Sequence, residues 1–161
     1  MSTAARTTAL RRREWVLGMG LACALPGAHA ADRDLPAPGS LADALAAALV
    51  RREPLVVMAS LAGCPFCRIV REHYLLPAWR EGMAVVQIDF KDPRPVRDWQ
   101  GRTTTQGELV KALGVSVAPT VMFFGHGGRE VAERLSGTYI SDFYGAYLDA
   151  RMEQARAAVR N

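Results

Sequence analysis

The sequence predicts an α/β domain with a central mixed sheet of four to five strands flanked by helices. Three observations carry this. Strand-length segments at 55–59 (LVVMA), 83–90 (MAVVQIDF), 120–124 (TVMFF) and 131–135 (VAERL), the first three largely apolar, alternate with segments of helical period. The first two runs flank a helical segment, so they read as parallel strands joined by a right-handed crossover. The last two are separated by Gly125-His126-Gly127-Gly128, a hairpin signal that makes them antiparallel.

Each element has its own local reason. Residues 31–39 (ADRDLPAPG) are polar and rich in Pro and Gly, and read as a linker. Ser40, followed by Asp43, is a variant capping box, and Leu41, Leu45 and Leu49 recur every four residues behind it. Pro54 ends that helix. The run at 55–59 is continuously apolar, as a strand covered on both faces would be. After the turn at Gly63, a helix starts at Cys64 and carries Ile69, Val70, His73, Tyr74 and Leu76, with Pro77 kinking or ending it. Residues 91–104 read as a Pro- and Arg-rich loop. Thr105-Gln106-Gly107-Glu108 then opens a short helix through Leu113. Ser141 is placed to cap a last helix with Phe143, Tyr144, Tyr147, Leu148 and Met152 on its inner side.

Residues 1–30 read as an export signal. Arg11, Arg12 and Arg13 precede an apolar run from Trp15 to Leu25, and Ala28-His29-Ala30 supplies small residues for cleavage. The run is shorter than the roughly 20 residues a transmembrane helix needs. An uncleaved anchor is the alternative, although no stable membrane span is expected in the mature chain. The Arg12-Arg13 pair leaves both the twin-arginine and the general secretory routes open. Leu21-Ala22-Cys23 has part of a lipoprotein box, with Gly20 where a large aliphatic belongs. The expected location is the periplasm.

A chain of 161 residues fits one domain, here residues 40–161. Half its residues are apolar and 22% are charged, a globular composition. The net charge of +4 comes largely from Arg6, Arg11, Arg12 and Arg13, so the remainder is close to neutral. That excludes the clustered basic face of a nucleic-acid binder. Three cysteines are too few for a disulfide scaffold.

The chemistry sits at Cys64-Pro65-Phe66-Cys67. A cysteine at a helix start receives the first-turn amides and the positive end of the helix dipole, which stabilise a thiolate. Pro65 suits the first helical position, where an N–H would lack a partner. Cys67, one turn in, is more buried and less nucleophilic. Cys64 therefore attacks, and Cys67 resolves the mixed disulfide. Half a zinc site, an inert disulfide and a redox-inactive binding module are the competing readings. Zinc would need two further ligands, and His73 and His126 form no close pair.

At this point the chain resembles the thioredoxin superfamily, in its exported bacterial form, from about Leu41 to Leu148. The strand-turn-CxxC-helix unit spans 56–74. Gly114-Val115-Ser116-Val117-Ala118-Pro119-Thr120 looks like the segment around the family's cis-proline. Residues 121–124, Gly128-Arg129-Glu130-Val131 and Gly137 look like its final hairpin. The resemblance implies a cis Pro119 facing the cysteines, with the Ala118 backbone offered to an extended substrate. It implies thiol–disulfide exchange without a bound cofactor or metal, on protein or small-thiol disulfides. It also implies a redox partner that resets the pair, with the direction of electron flow open and reduction slightly favoured. A thioredoxin-fold chaperone or binding module and a copper or zinc carrier are the alternatives.

Two departures matter. Met58 occupies the position of the buried aspartate that accepts the second cysteine's proton in thioredoxins, so that proton must use water, Glu72 or another group. Pro65-Phe66 stands where thioredoxins carry Gly-Pro. Phe66 is expected at the site rim, either touching substrate or simply packed. Trp99 reads as the anchor of a solvated loop, with a partner-docking loop lined by Trp99, Arg94, Arg97 and Arg102 as the alternative. The chain is expected to be a monomer.

Overall fold

The computed structural model describes Met1, residues 34–137 and residues 143–161. The export segment beyond Met1, with Cys23, and the proposed Ser141 cap lie outside the described residues.

The chain begins with α1 (Leu41–Val50), whose first turn is capped by Ser40, the hydroxyl accepting the Asp43 amide at 3.1 Å. The buried strand β1 (Leu55–Ser60) follows. Next comes a helical run made of α2 (Pro65–Val70), a π-type turn (Arg71–Leu75) and α3 (Leu76–Arg80). Pro77 does not end this run. Its missing N–H and its ring are accommodated by the wider turn just before it, where the Leu76 amide reaches back to the Arg71 carbonyl.

Strand β2 (Val85–Asp89) leads into the segment expected to be an irregular loop. It instead folds a small hairpin of β3 (Pro95–Arg97) and β4 (Thr103–Thr105). The threonine run and the turn at Gly101 (φ 77°) make it, stitched by Asp98, which accepts from the Gln100 and Arg102 amides. Then α4 (Gln106–Ala112) is capped by Thr105 accepting the Glu108 amide at 3.2 Å. Gly107 is required there, because a Cβ would sit 2.8 Å from the Phe90 carbonyl oxygen. The antiparallel pair β5 (Thr120–Gly125) and β6 (Arg129–Ser136) precedes α5 (Tyr144–Arg160).

The main sheet has the order β2-β1-β5-β6, with β1 parallel to β2 and antiparallel to β5. Alternation along the strands divides the core. Val56, Met58, Val121 and Phe123 face the side covered by α2, α3 and α5. Leu55, Val57, Ala59, Met122 and Phe124 face the side covered by α1 and α4. The expectation that Phe143 and Tyr147 lie inward is corrected: they are 65% and 57% exposed. Tyr144, Leu148, Met152, Ala155 and Val159 form the buried stripe of α5. Phe143 precedes its first turn, and Tyr147 falls to the edge of a stripe that the narrow β6 edge cannot cover.

Candidate active site

Strand β1 delivers the chain to the site. The Cys64 amide donates to the Leu61 carbonyl at 3.1 Å, closing the turn after β1. Gly63 holds φ 78° within that turn, a conformation costly for residues with a Cβ. Cys64 is the N-cap of α2 and Pro65 opens its first turn. The Cys67 amide donates to the Cys64 Sγ at 3.3 Å, so a sulfur performs the capping role usually filled by oxygen.

The two sulfurs sit in different environments. Cys64 is partly exposed, whereas Cys67 is 1% exposed and belongs to the core cluster with Met58. Burial pushes the Cys64 thiol up, but hydrogen bonds from the Cys67 thiol and from the Cys67 and Phe66 amides outweigh it. They hold Cys64 below the usual thiol value. Burial pushes the Cys67 thiol up, and its hydrogen bond to Cys64 adds to this. The Leu61 amide and the Ser60 hydroxyl act in the opposite direction without winning. The outer sulfur is thus the better thiolate and the inner one the better-held thiol.

The segment before β5 runs beside the end of β1, where Ala59 pairs with Thr120. The Ala118–Pro119 peptide bond is cis. Ala118 and Cys64 both pack against the core cluster that contains Cys67. The Thr120 hydroxyl donates to the Val117 carbonyl at 2.7 Å, and the Pro119 carbonyl accepts from the Gly137 amide at 2.8 Å. Phe66 and Val117 are large exposed apolar side chains, at 47% and 48%.

The other candidates lie apart. His126 approaches the Val159 carbonyl at 3.3 Å, at the end of α5. His73 and Glu72 are both exposed. Trp99 packs on the opposite side of the sheet, its ring centroid 4.7 Å from that of Phe124. Arg94, Arg97 and Arg102 pair with Asp92, Asp43 and Asp98, which ties the hairpin together and to α1. Among the described residues, no three His, Cys, Asp or Glu side chains are grouped to hold a metal ion.

Ser60 is the site residue that the sequence reading missed. It is 1% exposed at the end of β1, and its hydroxyl faces Cys67. Its signal was present as the one polar residue closing an apolar run, four positions before Cys64.

Residues 41–151 match the family described as the thioredoxin-like domain. The chain belongs to that family. Its thioredoxin-like fold is also that of a putative disulphide-isomerase from Bacteroides thetaiotaomicron, 21% identical with a TM-score of 0.50. That alignment covers 74% of this chain and 95% of the other. A protein titled DsbH Oxidoreductase is 14% identical with a TM-score of 0.51, over 77% and 89% of the two chains. The periplasmic thioredoxin SoxS from Paracoccus pantotrophus is 20% identical with a TM-score of 0.41, over 64% and 99%. No curated protein matches the sequence. Against the thioredoxin-like background, Met58 stands fully buried where the resemblance puts a proton-accepting aspartate, and Ser60 supplies the polar contact to the inner cysteine.

Proposed function

We propose that this chain is an exported thiol–disulfide oxidoreductase of the periplasm, working through Cys64 and Cys67. Membership of the thioredoxin-like family together with a CxxC pair supports thiol–disulfide chemistry in general. The observation that carries the residue assignment is the Cys67 amide on the Cys64 sulfur, with Cys64 accessible and Cys67 buried behind it.

In the reducing direction, the Cys64 thiolate attacks one sulfur of a substrate disulfide. The Cys64–substrate bond forms, and the other half leaves as a thiolate that takes up a proton. Cys67 then loses its proton and attacks the Cys64 sulfur. The Cys64–Cys67 disulfide forms, the second substrate thiolate departs, and two electrons have passed to the substrate. A redox partner restores the dithiol. Run backwards, the same steps oxidise a dithiol. The direction of electron flow stays open, with reduction slightly favoured.

Ala118 and Pro119 shape the substrate groove beside the sulfurs, and Phe66 forms its rim. An extended polypeptide paired with the Ala118 backbone would pass over the exposed Phe66 and Val117. The chain works as a monomer and without a cofactor. Residues 1–30 act as its signal, and residues 31–39 lead from it into the domain; they are more than the linker the sequence suggests, because Leu35 is buried in the core and the Pro36 carbonyl accepts the Gln87 amide of β2 at 2.9 Å. Among the described residues, no helix is long and apolar enough to cross a membrane.

The test is trapping. With Cys23 replaced by Ser throughout, the full-length Cys67→Ser protein should accumulate a mixed disulfide through Cys64 with a disulfide-bonded peptide, and Cys64→Ser should form little or none through the buried Cys67. A Cys67→Ser protein that stays unmodified would overturn the assignment.

A further inference from the structure

A cavity of about 380 Å³ opens beside Cys64, on the side of Arg68, Arg71, Asp34 and Asp89. At about 30 Å³ per water it holds far more than one or two solvent molecules. Its volume lies within the range of small-molecule sites.

The cavity's charges are of both signs and only partly satisfied. Arg71 Nε lies 3.4 Å from Asp34 Oδ1, and Arg71 Nη1 donates to Gln87 Oε1 at 3.3 Å. Yet that Nε is buried and makes no hydrogen bond. Arg68 is exposed and makes no ion pair with a described residue. Asp89 accepts the Lys91 amide at 2.9 Å with one oxygen, and its carboxylate has no ion pair among the described residues. Two guanidinium groups and two carboxylates thus line one space next to a nucleophilic sulfur. A pure anion or a pure cation meets repulsion there from one of the two sets. A group carrying both charges satisfies both sets.

We propose that this cavity is the head-group subsite for a low-molecular-weight amino-acid disulfide, of which cystine is the simplest. The proposal rests on the thiol–disulfide reading above and names a substrate class for it. The carboxylate faces the Arg68 and Arg71 guanidinium groups, and the ammonium faces Asp89 and Asp34. The Cys64 thiolate attacks the near sulfur and one cysteine leaves as a thiolate. Cys67, giving up its proton, attacks the Cys64 sulfur and releases the second. The balance is one cystine and one dithiol protein converted to two cysteines and one disulfide protein.

The experiment uses the reduced full-length chain with four disulfides: cystine, cystamine (a dication), 3,3′-dithiodipropionate (a dianion) and neutral 2-hydroxyethyl disulfide. Each rate is divided by that of the same disulfide with free mercaptoethanol at the same pH, which removes intrinsic reactivity. Cystine should exceed the other three by about fivefold to tenfold. Arg68→Gln should lower the cystine-to-hydroxyethyl ratio and the dithiodipropionate ratio. Asp89→Asn, whose amide oxygen still accepts from Lys91, should lower the cystine and cystamine ratios. Equal normalised rates for all four, or ratios unmoved by both variants, overturn the subsite while leaving the thiol–disulfide reading standing. No reaction with any disulfide overturns both.

Discussion

The backbone amide of Cys67 donates to the sulfur of Cys64 across 3.3 Å, so the inner cysteine of the pair stabilises the outer one. One residue thereby has two jobs. Its thiol and its amide draw its neighbour's pKa down, while burial pushes its own up.

This asymmetry predicts a pH dependence. Only the thiolate is alkylated, so a thiol held below its ordinary value reacts from a lower pH. In the reduced protein, Cys64 modification by iodoacetamide should rise with a midpoint below the roughly 8.5 of a free cysteine. Cys67 modification should begin only above that value. Peptide mass spectrometry across a pH series separates the two, and a common midpoint would contradict the asymmetry.

Ser60 gives the second prediction. Its hydroxyl supports the Cys67 thiolate against burial. A hydrogen bond to a charged group is worth about 1.5–3 kcal/mol, and about 1.4 kcal/mol is one pKa unit. Ser60→Ala should therefore raise the Cys67 pKa and slow resolution of the mixed disulfide by about tenfold at neutral pH. Raising the pH should restore the rate. Ser60→Thr, which keeps the hydroxyl, should behave closer to the parent. An unchanged resolution rate in Ser60→Ala would remove Ser60 from the site.

Met58 gives the third. It is fully buried in the same core cluster as Cys67. Met58→Asp would bury a carboxylate, with a folded pKa raised above the unfolded value of about 3.9. The unfolded chain then releases its proton first as pH rises, so the variant's stability falls between those two values. Denaturant unfolding should show Met58→Asp less stable at pH 7 than at pH 4.5, by more than the parent changes.

Trp99 gives the fourth, at a distance from the cysteines. A Cβ on Gly128 would lie 2.9 Å from the Trp99 ring, and Gly128 holds φ 68°. Gly128→Ala should cost at least the roughly 1–3 kcal/mol of an overpacked site. Thermal unfolding measures the loss. Cys64 alkylation at neutral pH should be unchanged, because Trp99 packs on the other face of the sheet.

What could be read in the sequence was what local rules determine. Ser40 and Thr105 announced their helices because a side-chain cap acts over three residues. Strands β1 and β5 announced themselves because burial on both faces leaves an unbroken apolar run. The Cys64-Pro65 start was legible because proline suits a first helical turn. What was missed depends on tertiary neighbours. Tyr147 is apolar enough for a core but meets no covering layer. Pro77 is a breaker only where the helix cannot widen. Ser60 gains its meaning from Cys67 across a turn, and the charged cavity draws Asp34, Arg68 and Asp89 from three separate segments.

The central claim is that Cys64 and Cys67 form one reversible redox couple, and the reduction potential tests it most directly. The full-length chain is equilibrated against graded glutathione buffers, and the fraction of dithiol is read by alkylation and mass spectrometry. A single two-electron transition is expected, nearer the about −270 mV of thioredoxin than the about −120 mV of a strong oxidant. A pair that stays wholly reduced or wholly oxidised across the series would contradict it.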